Sequence, residues 1–515
     1  MTRAADWVLT ALQQRSLDEA SVDAGTSGET LMESAGRHAA EWTLTHRPPE
    51  SAVVMAGPGG NGGDAFVVAR YLLQAGTAVH VFCCRDIGCC TPLTQMMAAH
   101  LTRLGVNIHI LGTNRSDLIG ALEGANCVID GLLGSGLSRP LSGEVADTVS
   151  VLNESAIPIV SLDLPSGLAS DSGDVPGLAI RANVTLAMAF YKPSHWLYPA
   201  AEYCGDTHVV GVDYPRAELS QVSPLARVHN VETIGRLLPQ RVPTGHKGTF
   251  GHVLAICGSQ GMTGAAILCA RGALRAGAGL VTLAVPETIL SVIQLAIPEA
   301  ITIPLPDDDG RLVDPGILER LQPAMERADV LAVGPGLSRD PGTLELVRQI
   351  VGTFRGTLII DADAVRAFAD HSDLLSNLGE RAVLTPHPGE FAVLAHSTSK
   401  YVDASRLEAV QNFVKRCPVQ LVLKGRPTVV GLPDQSVIVN PTGNTGLATG
   451  GSGDVLTGVM AGLVANGSST ADAAVTAPFI HGLAADRWAD EFSERSLTPS
   501  DVLEALPRIL KELEP

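Results

Sequence analysis

The chain is 515 residues long, 45% hydrophobic and 17% charged, and its 54 acidic against 36 basic side chains give a formal net charge of −18. That balance excludes a phosphate-tracking nucleic-acid binder, whose footprint is basic, and the apolar content excludes a disordered tail. No run reaches the ~18 uninterrupted apolar residues of a membrane helix, because Arg271 and Arg275 break the most apolar stretch, 265–286. The N-terminal stretch lacks a basic-then-apolar export signal. The nine cysteines, an odd count, fit reduced thiols, and together these features place the protein in the cytoplasm.

In the first half, short runs rich in Val, Ile and Leu alternate with helical stretches: SAVVMAG (51–57), TAVHVFCC (77–84), ANCVID (125–130), PIVSLD (158–163), VTLAMAF (184–190) and THVVGV (207–212). This pattern predicts buried parallel strands in a layered α/β sheet. The segment 215–248, with Pro215, Pro224, Pro239 and Pro243 and little strand character, predicts a junction containing one short helix. A second series follows: HVLAICG (252–258), GLVTLAVP (279–286), ADVLAVGPG (328–336), TLIIDAD (357–363), AVLTPHPGE (382–390) and VQLVLKG (419–425). The expected domains are therefore 1–220 and 221–515.

Gly57, Gly59 and Gly62 form G-x-G-x-x-G after a strand and ahead of a helix expected from Asp64. Such a turn brings backbone N–H donors close to a phosphate. A dehydrogenase needs an acidic residue roughly 20 positions on to hold the ribose; Cys83, Cys84 and Arg85 stand there and Asp86 is only an approximate candidate, which argues against hydride transfer. Taken singly, Asn61 and Asp64 read as an Asx turn and a helix cap. Polar turns recur, however, after two more strands, with Asp130 in IDGLLGSGLSRP (129–140) and Asp163 and Ser166 in SLDLPSG (161–167). In an open α/β sheet such strand ends share one crevice; their oxygens suit a hard cation, and a lone Asp suits proton transfer. Cys83, Cys84, Cys89 and Cys90, with no histidine close by, read as free thiols in a post-strand loop rather than as a zinc site.

In the second half, GNTGLATGGSGD (443–454) places Gly450, Gly451 and Gly453 before a helix with Asp454 at its first turn. Backbone donors facing a carboxylate are what phosphoryl transfer to a hydroxyl requires, and no Walker lysine pattern makes this half a P-loop. Pro386 and Pro388 fix His387 near Glu390, which favours a cleft position. The Lys424–Thr428 turn reads either as a nucleotide contact or as a plain hairpin.

Together these motifs resemble the bifunctional NAD(P)H-hydrate repair enzymes, an epimerase domain joined to an ADP/ATP-dependent dehydratase domain. The resemblance rests on LMESAG (31–36), GPGGNGGD (57–64), DGLLGSGL (130–137), SLDLPSG and YKP (191–193) in the first half. In the second it rests on HKGTFG (246–251), GMTGAAILCARGALRAGAGLV (261–281), GPGL (334–337), DADA (361–364), TPHPGE (385–390), LKG (423–425) and GNTGLATGGSGD. It implies two three-layer α/β/α domains, the first Rossmann-like without hydride transfer, the second ribokinase-like. It implies potassium at Asn61, Asp130 and Ser166, with the hydrated dinucleotide held by Gly60, Asn61, Gly62, Gly63 and Asp64 and by Gly134, Ser135, Gly136, Leu137, Ser138, Arg139 and Pro140. Asp163 would meet the nicotinamide end and do the acid/base work. In the second domain Ala265, Gly336, His387 and Asp454 would line the hydrate site, and Lys424, Gly425, Arg426, Pro427, Thr428 and Gly453 would bind ADP or ATP. Asp454 would be the base, with Mg2+ accompanying phosphoryl transfer on ligands the sequence does not assign.

The implied partners are small molecules, with neither nucleic acid nor membrane, and the implied assembly is a homo-oligomer. The chain departs from the family pattern at Gly60, where a second Asn is common, at Ala65 in place of Gly and at Ser452 in place of Thr; Gly60 removes one side-chain oxygen near the cation. The alternative reading is a ribokinase-like small-molecule kinase with a non-catalytic N-terminal binding domain, marked by a stable phosphorylated product.

Overall fold

A computed structural model describes residues 6–112, 115–137 and 139–514; the expected contact at Ser138 lies outside them. The chain divides into two compact units, Met1–Arg227 and Val228–Pro515. Among the described residues no helix is long and apolar enough to cross a membrane.

In the first unit, β1 (Trp7–Val8) precedes a seven-stranded sheet of β2 (Ser51–Ala56), β3 (Ala78–Cys83), β4 (Ile108–Ile110), β5 (Cys127–Gly131), β6 (Ile159–Leu162), β7 (Val184–Met188) and β8 (Asp206–Val210). All its pairings are parallel, in the order β4-β3-β2-β5-β6-β7-β8. Period-two alternation along β2 explains the layers. Ala52, Val54 and Ala56 pack with Ala35, Phe66 and Met97 from helices 28–46, 60–74 and 92–103, while Val53 and Met55 pack with Leu118, Val149 and Leu152 on the other face. Strand order reverses between β2 and β5, so the turns leaving those two strands open a crevice at their carboxyl ends.

The segment expected to hold one short helix contains two, Arg216–Leu219 and Val231–Leu237, and also β9 (Ala226–Val228), which pairs with β1 through Trp7↔Arg227 and Val8↔Ala226. Asn230 caps the second helix by accepting from the Thr233 N–H. Prolines in this segment mark the breaks between short elements rather than excluding them.

The second unit carries β10 (His252–Ile256), β11 (Leu280–Pro286), β12 (Ile301–Leu305), β13 (Val330–Val333), β14 (Thr357–Ile360), β15 (Ala382–Leu384), β16 (Gln420–Leu423), β17 (Thr428–Gly431) and β18 (Val437–Asn440). They neighbour one another in the order β18-β17-β16-β15-β14-β13-β10-β11-β12, parallel from β10 to β16 and antiparallel through β16, β17 and β18. One face of this sheet, through Val253, Ala255 and Ala332, packs on helices 263–275, 452–465, 470–489 and 499–513. Its strand order reverses between β10 and β13, which opens a second crevice.

Helix 452–465 is apolar on almost every side, and small residues set its distance from helix 263–275. A Cβ on Gly458 would lie 2.0 Å from the Cys269 carbonyl oxygen, and one on Gly462 2.4 Å from that of Ala273. The two backbones touch, which fixes the Gly451–Asp454 turn on the core.

Candidate functional site

In the first unit the helix begins at Gly60, four residues before the expected start, with Gly59 as its N-cap. Asn61, Gly62, Gly63 and Asp64 therefore belong to its first turns, and Asp64 is not a cap. Two glycines are dictated by close approach: a Cβ at Gly57 would lie 1.7 Å from the Leu132 carbonyl oxygen, and one at Gly62 1.9 Å from that of Gly57. Nothing lies within 4 Å of a Cβ at Gly60, so a longer side chain there has open space.

Asn61 and Ser166 converge on Leu133, and Ser166 ties them to Asp130. The Asn61 amide donates to the carbonyls of Leu133 (2.9 Å) and Leu162 (3.1 Å). The Leu133 N–H donates to Ser166 Oγ at 2.9 Å, and Ser166 Oγ and N–H both donate to the Asp130 carboxylate, at 2.6 and 2.9 Å. Asp130 is fully buried; burial raises its pKa, opposed by the hydrogen bonds from Ser166 and Ser161. Asn61 Oδ1 is buried and accepts nothing. A buried amide oxygen without a donor is the kind of atom a hard cation satisfies.

Asp163 follows β6 with φ +60, a left-handed conformation that is strained for Asp. A Cβ on Gly134 would sit 3.4 Å from both Asp163 Oδ2 and Asn61 Cβ, so the carboxylate, the amide and the turn after β5 meet. Further along that turn, Ser135 and Leu137 are half-buried, while Gly136, Arg139 and Pro140 are exposed.

Two partners of Asp163 escaped the sequence reading. Lys192 Nζ donates to its Oδ1 at 3.1 Å, with the lysine side chain 1% exposed and the carboxylate 12%. The Lys192 N–H donates to His195 Nδ1, so the proton sits on His195 Nε2, which donates to the Asp163 carbonyl oxygen at 2.8 Å. Burial, then Lys192, hold this imidazole down at about 4, so it is neutral at physiological pH. Burial, then Asp163 and Asp18, push Asp64 well above the carboxylate range. The available signal was a lysine placed directly after the apolar run 184–191, since such a lysine is buried only when paired.

In the second unit the reversal between β10 and β13 is occupied by a cavity of about 550 Å³, lined by Ser259, Gln260 and Met262 after β10, Gly336 and Ser338 after β13, and Asp363 after β14. Gly336 has φ +63, and a Cβ on it would lie 2.8 Å from that of Ala265, which puts both expected residues at this edge. A second cavity, of about 340 Å³, is lined by Lys424, Gly425, Arg426, Thr428 and Gly453, together with Asn440, Asn444 and His481. Pro427 is not in its lining; its carbonyl accepts from buried Arg406. The Lys424–Thr428 turn is indeed a hairpin, with Leu423 opposite Val429, and it also lines the cavity.

The helix expected after the glycines begins at Ser452, with Gly451 as N-cap at φ +101, so Gly453 and Asp454 lie inside its first turn. Burial, then the neighbouring Asp361, raise Asp454 to about 7 against the pull of Lys424. Lys424 Nζ donates to Asp361 Oδ1 at 2.7 Å, and Thr457 donates to Oδ2 at 2.7 Å. Asp361 and Thr457 were not foreseen as site residues, nor was Asp486, which accepts from the Gly443 N–H and the Asn444 amide and pins the cavity wall. His387 lines neither cavity; its Nδ1 accepts from the N–H groups of Gly389 and Glu390, so it caps helix 388–394. All nine cysteines are free, with Cys83 and Cys90 Sγ 3.9 Å apart.

Comparison with known proteins places both units. Residues 253–508 match the family model for NAD(P)H-hydrate dehydratase, and residues 28–194 match that for the YjeF-related protein N-terminus. A bifunctional NAD(P)H-hydrate repair enzyme from Moorella thermoacetica is 36% identical over 520 residues, covering 99% of this chain and 97% of the relative. The chain belongs to the bifunctional NAD(P)H-hydrate repair enzymes. Among solved structures, a ribokinase-like superfamily protein from Enterococcus faecalis is 26% identical, with 57% of this chain and 98% of that one covered and a TM-score of 0.50. An ADP/ATP-dependent NAD(P)H-hydrate dehydratase from Bacillus subtilis, co-crystallised with ATP and Mg2+, is 31% identical over 55% of this chain and 98% of its own, at a TM-score of 0.47. The family's two-domain α/β architecture, Rossmann-like then ribokinase-like, is the one the two sheets display.

Proposed function

We propose that this chain repairs hydrated NADH and NADPH in two steps. The first unit interconverts the R and S hydrates, and the second returns the S hydrate to the reduced dinucleotide at the expense of ADP or ATP. The observation that carries the second step is Asp454, a carboxyl raised to about 7 beside the glycine turn, with one cavity leading to Lys424 and Gly453 and another to Gly336 and Asp363. On this reading the phosphoryl donor takes the cavity at Lys424 and Gly453, next in the chain to Asp454, and the hydroxyl acceptor the one at Gly336 and Asp363.

The hydrate carries a hydroxyl on a ring carbon next to nitrogen, and hydroxide is a poor leaving group. Asp454 takes the hydroxyl proton as the phosphoryl group arrives on its oxygen. Lys424 and the N–H groups of the first turn of helix 452–465 hold the transferring charge. The ring nitrogen then expels phosphate, a proton leaves the adjacent carbon, and the dihydronicotinamide ring is restored. Mg2+ carried by the nucleotide, whose phosphate oxygens are its usual ligands, would neutralise their charge.

For the first step, Asp163 is the acid/base group at the substrate ring, held by Lys192 and His195. The oxygens of Asn61, Asp130 and Ser166 suit potassium, a support drawn from the unpartnered Asn61 Oδ1; the ion would supply a fixed positive charge ordering the turn after β5. The dinucleotide would lie along residues 60–64 and 134–140. The same reading makes the protein a cytoplasmic homo-oligomer acting on small molecules.

The test is to give the protein, Mg2+ and ADP a mixture of both hydrate epimers and to follow the return of reduced-nicotinamide absorbance against a no-enzyme rate of epimer exchange. Complete recovery faster than that exchange is expected. Recovery that stops at the S fraction would remove the epimerase half of the reading, and a stable phosphorylated product would replace the dehydratase half with a kinase.

A further inference from the structure

The carboxylate of Asp361 stands where three elements of the second unit meet. It follows β14, and its side chain is 1% exposed against 21% for that of Lys424. One oxygen accepts from Lys424, which follows β16, and the other from Thr457, on the second turn of helix 452–465. Gly453 lies over this pair: a Cβ there would be 3.3 Å from Lys424 Nζ and 3.8 Å from Asp361 Oδ2. Any side chain at 453 would press on the ammonium. Two residues beyond Asp361, Asp363 lines the larger cavity, while Lys424 and Gly453 line the smaller. The pair therefore borders the smaller cavity through Lys424, and the chain that leaves Asp361 runs on to the larger.

Building on the dehydratase reading above, the geometry points to Asp361 as a positioning residue for phosphoryl transfer. It holds the Lys424 ammonium against Gly453 on the nucleotide side, and so keeps Asp454 out of that ion pair and free to take the proton of the substrate hydroxyl.

Three carboxylates act on one lysine here. Burial disfavours the charge on Lys424, and Asp361 with Glu390 and Asp454 more than offsets it, so the lysine stays an ammonium. With Asp361 fully engaged by Lys424 and Thr457, Asp454 feels burial and a neighbouring negative charge, and both keep it basic. Removing the charge of Asp361 reverses this: one cause that raises Asp454 is lost while the pull of Lys424 remains, and its proton affinity falls. The other titratable groups around the pair are Glu390, buried His481, which burial holds at about 4, and Cys257, a buried free thiol hydrogen-bonded to that of Cys269 and raised well above its usual range. His481 and Cys257 are both neutral throughout the interval from pH 5 to 7 on those directions, so neither mimics the effect.

The experiment measures dehydration of the S hydrate by the full chain, with ADP and Mg2+, as a function of pH. Asp361→Asn should lower kcat by about 10- to 100-fold, as happens when a partner orienting a charged group is lost. It should also move the acidic limb of the profile down by about one pH unit. Thr457→Val, which keeps both charges, should leave the limb in place. A Lys424→Met/Asp361→Asn double variant guards against misfolding, because removing both members of a buried pair is tolerated better than stranding one; its kcat should stay within about threefold of that of Lys424→Met alone. An unmoved limb in folded Asp361→Asn, or losses that add in the double variant, would overturn the assignment. A wild-type chain without dehydration would sink the dehydratase reading and this role with it, whereas an active wild type with an unmoved limb would sink this role alone.

Discussion

Each unit sets a lysine against an aspartate at the end of a parallel strand, and the two pairs are built in opposite senses. In the first, Lys192 is sealed at 1% exposure and Asp163 is the open partner at 12%; in the second, Asp361 is sealed at 1% and Lys424 is open at 21%. The buried partner fixes the exposed one, so the first crevice is offered a carboxylate and the second an ammonium. A carboxylate suits proton traffic at a ring, and an ammonium suits a phosphate. On the proposed reading the same ion pair would serve different chemistry according to which end faces the crevice.

The strongest way to break this contrast is to remove the proton acceptor of each unit in turn. Asp454→Ala should cost about 10²- to 10⁴-fold in dehydration, the usual contribution of a general base, and leave epimer exchange intact. Asp163→Asn should take exchange down to the uncatalysed rate while S-hydrate dehydration persists. Separate assays with pure R and pure S hydrate check both, and a variant that loses both activities while still folded would contradict separable sites. A smaller effect comes from pH. Asp454 must be a carboxylate to accept a proton, and its pKa is raised to about 7 rather than lowered, so kcat/KM for dehydration should fall about tenfold per pH unit below 7. An acidic limb near pH 4 would contradict that.

The smallest effects should separate the two glycine turns. Gly57→Ala drives a methyl into the Leu132 backbone and should cost about 1–3 kcal/mol of stability by denaturant titration. Gly453→Ala presses on the tip of the Lys424 side chain at 3.3 Å and meets Asp361 at an ordinary 3.8 Å, and it sits in a helix, where Ala is favoured by up to ~1 kcal/mol. Its stability should be unchanged or higher, with dehydration reduced about tenfold by the displaced ammonium.

Much of this is legible in the order of the residues alone. Polar turns after three apolar runs announce that Asn61, Asp130, Asp163 and Ser166 share a crevice, since strand ends must meet there. The Gly450–Asp454 turn announces a helix start that carries Asp454 in its first turn. What stays hidden depends on pairings across the sheet. Lys192 reaches back 29 residues to Asp163 and Lys424 63 residues to Asp361, and no local period encodes such a distance. His387 carries a further role that the flanking prolines do not announce: Pro388 and Glu390 mark the start of a helix that the imidazole caps. The helix starts at Gly60 and Ser452 are misplaced because glycines read as loop, although their N–H groups already belong to helical first turns.

The backbone contact at Gly458 and Gly462 has a consequence for what the second unit can accept. Ala265 rides near the start of one helix of that contact and Asp454 near the start of the other. Where side chains mediate packing, rotamer changes let two walls breathe. Here carbonyl groups bear directly on glycine Cα atoms, and the spacing behaves as a fixed gauge. On the proposed chemistry a ligand must bring its hydroxyl to Asp454 by its own length and shape, because the gap will not shift to meet it. An unhydrated dinucleotide has nothing to present at that position.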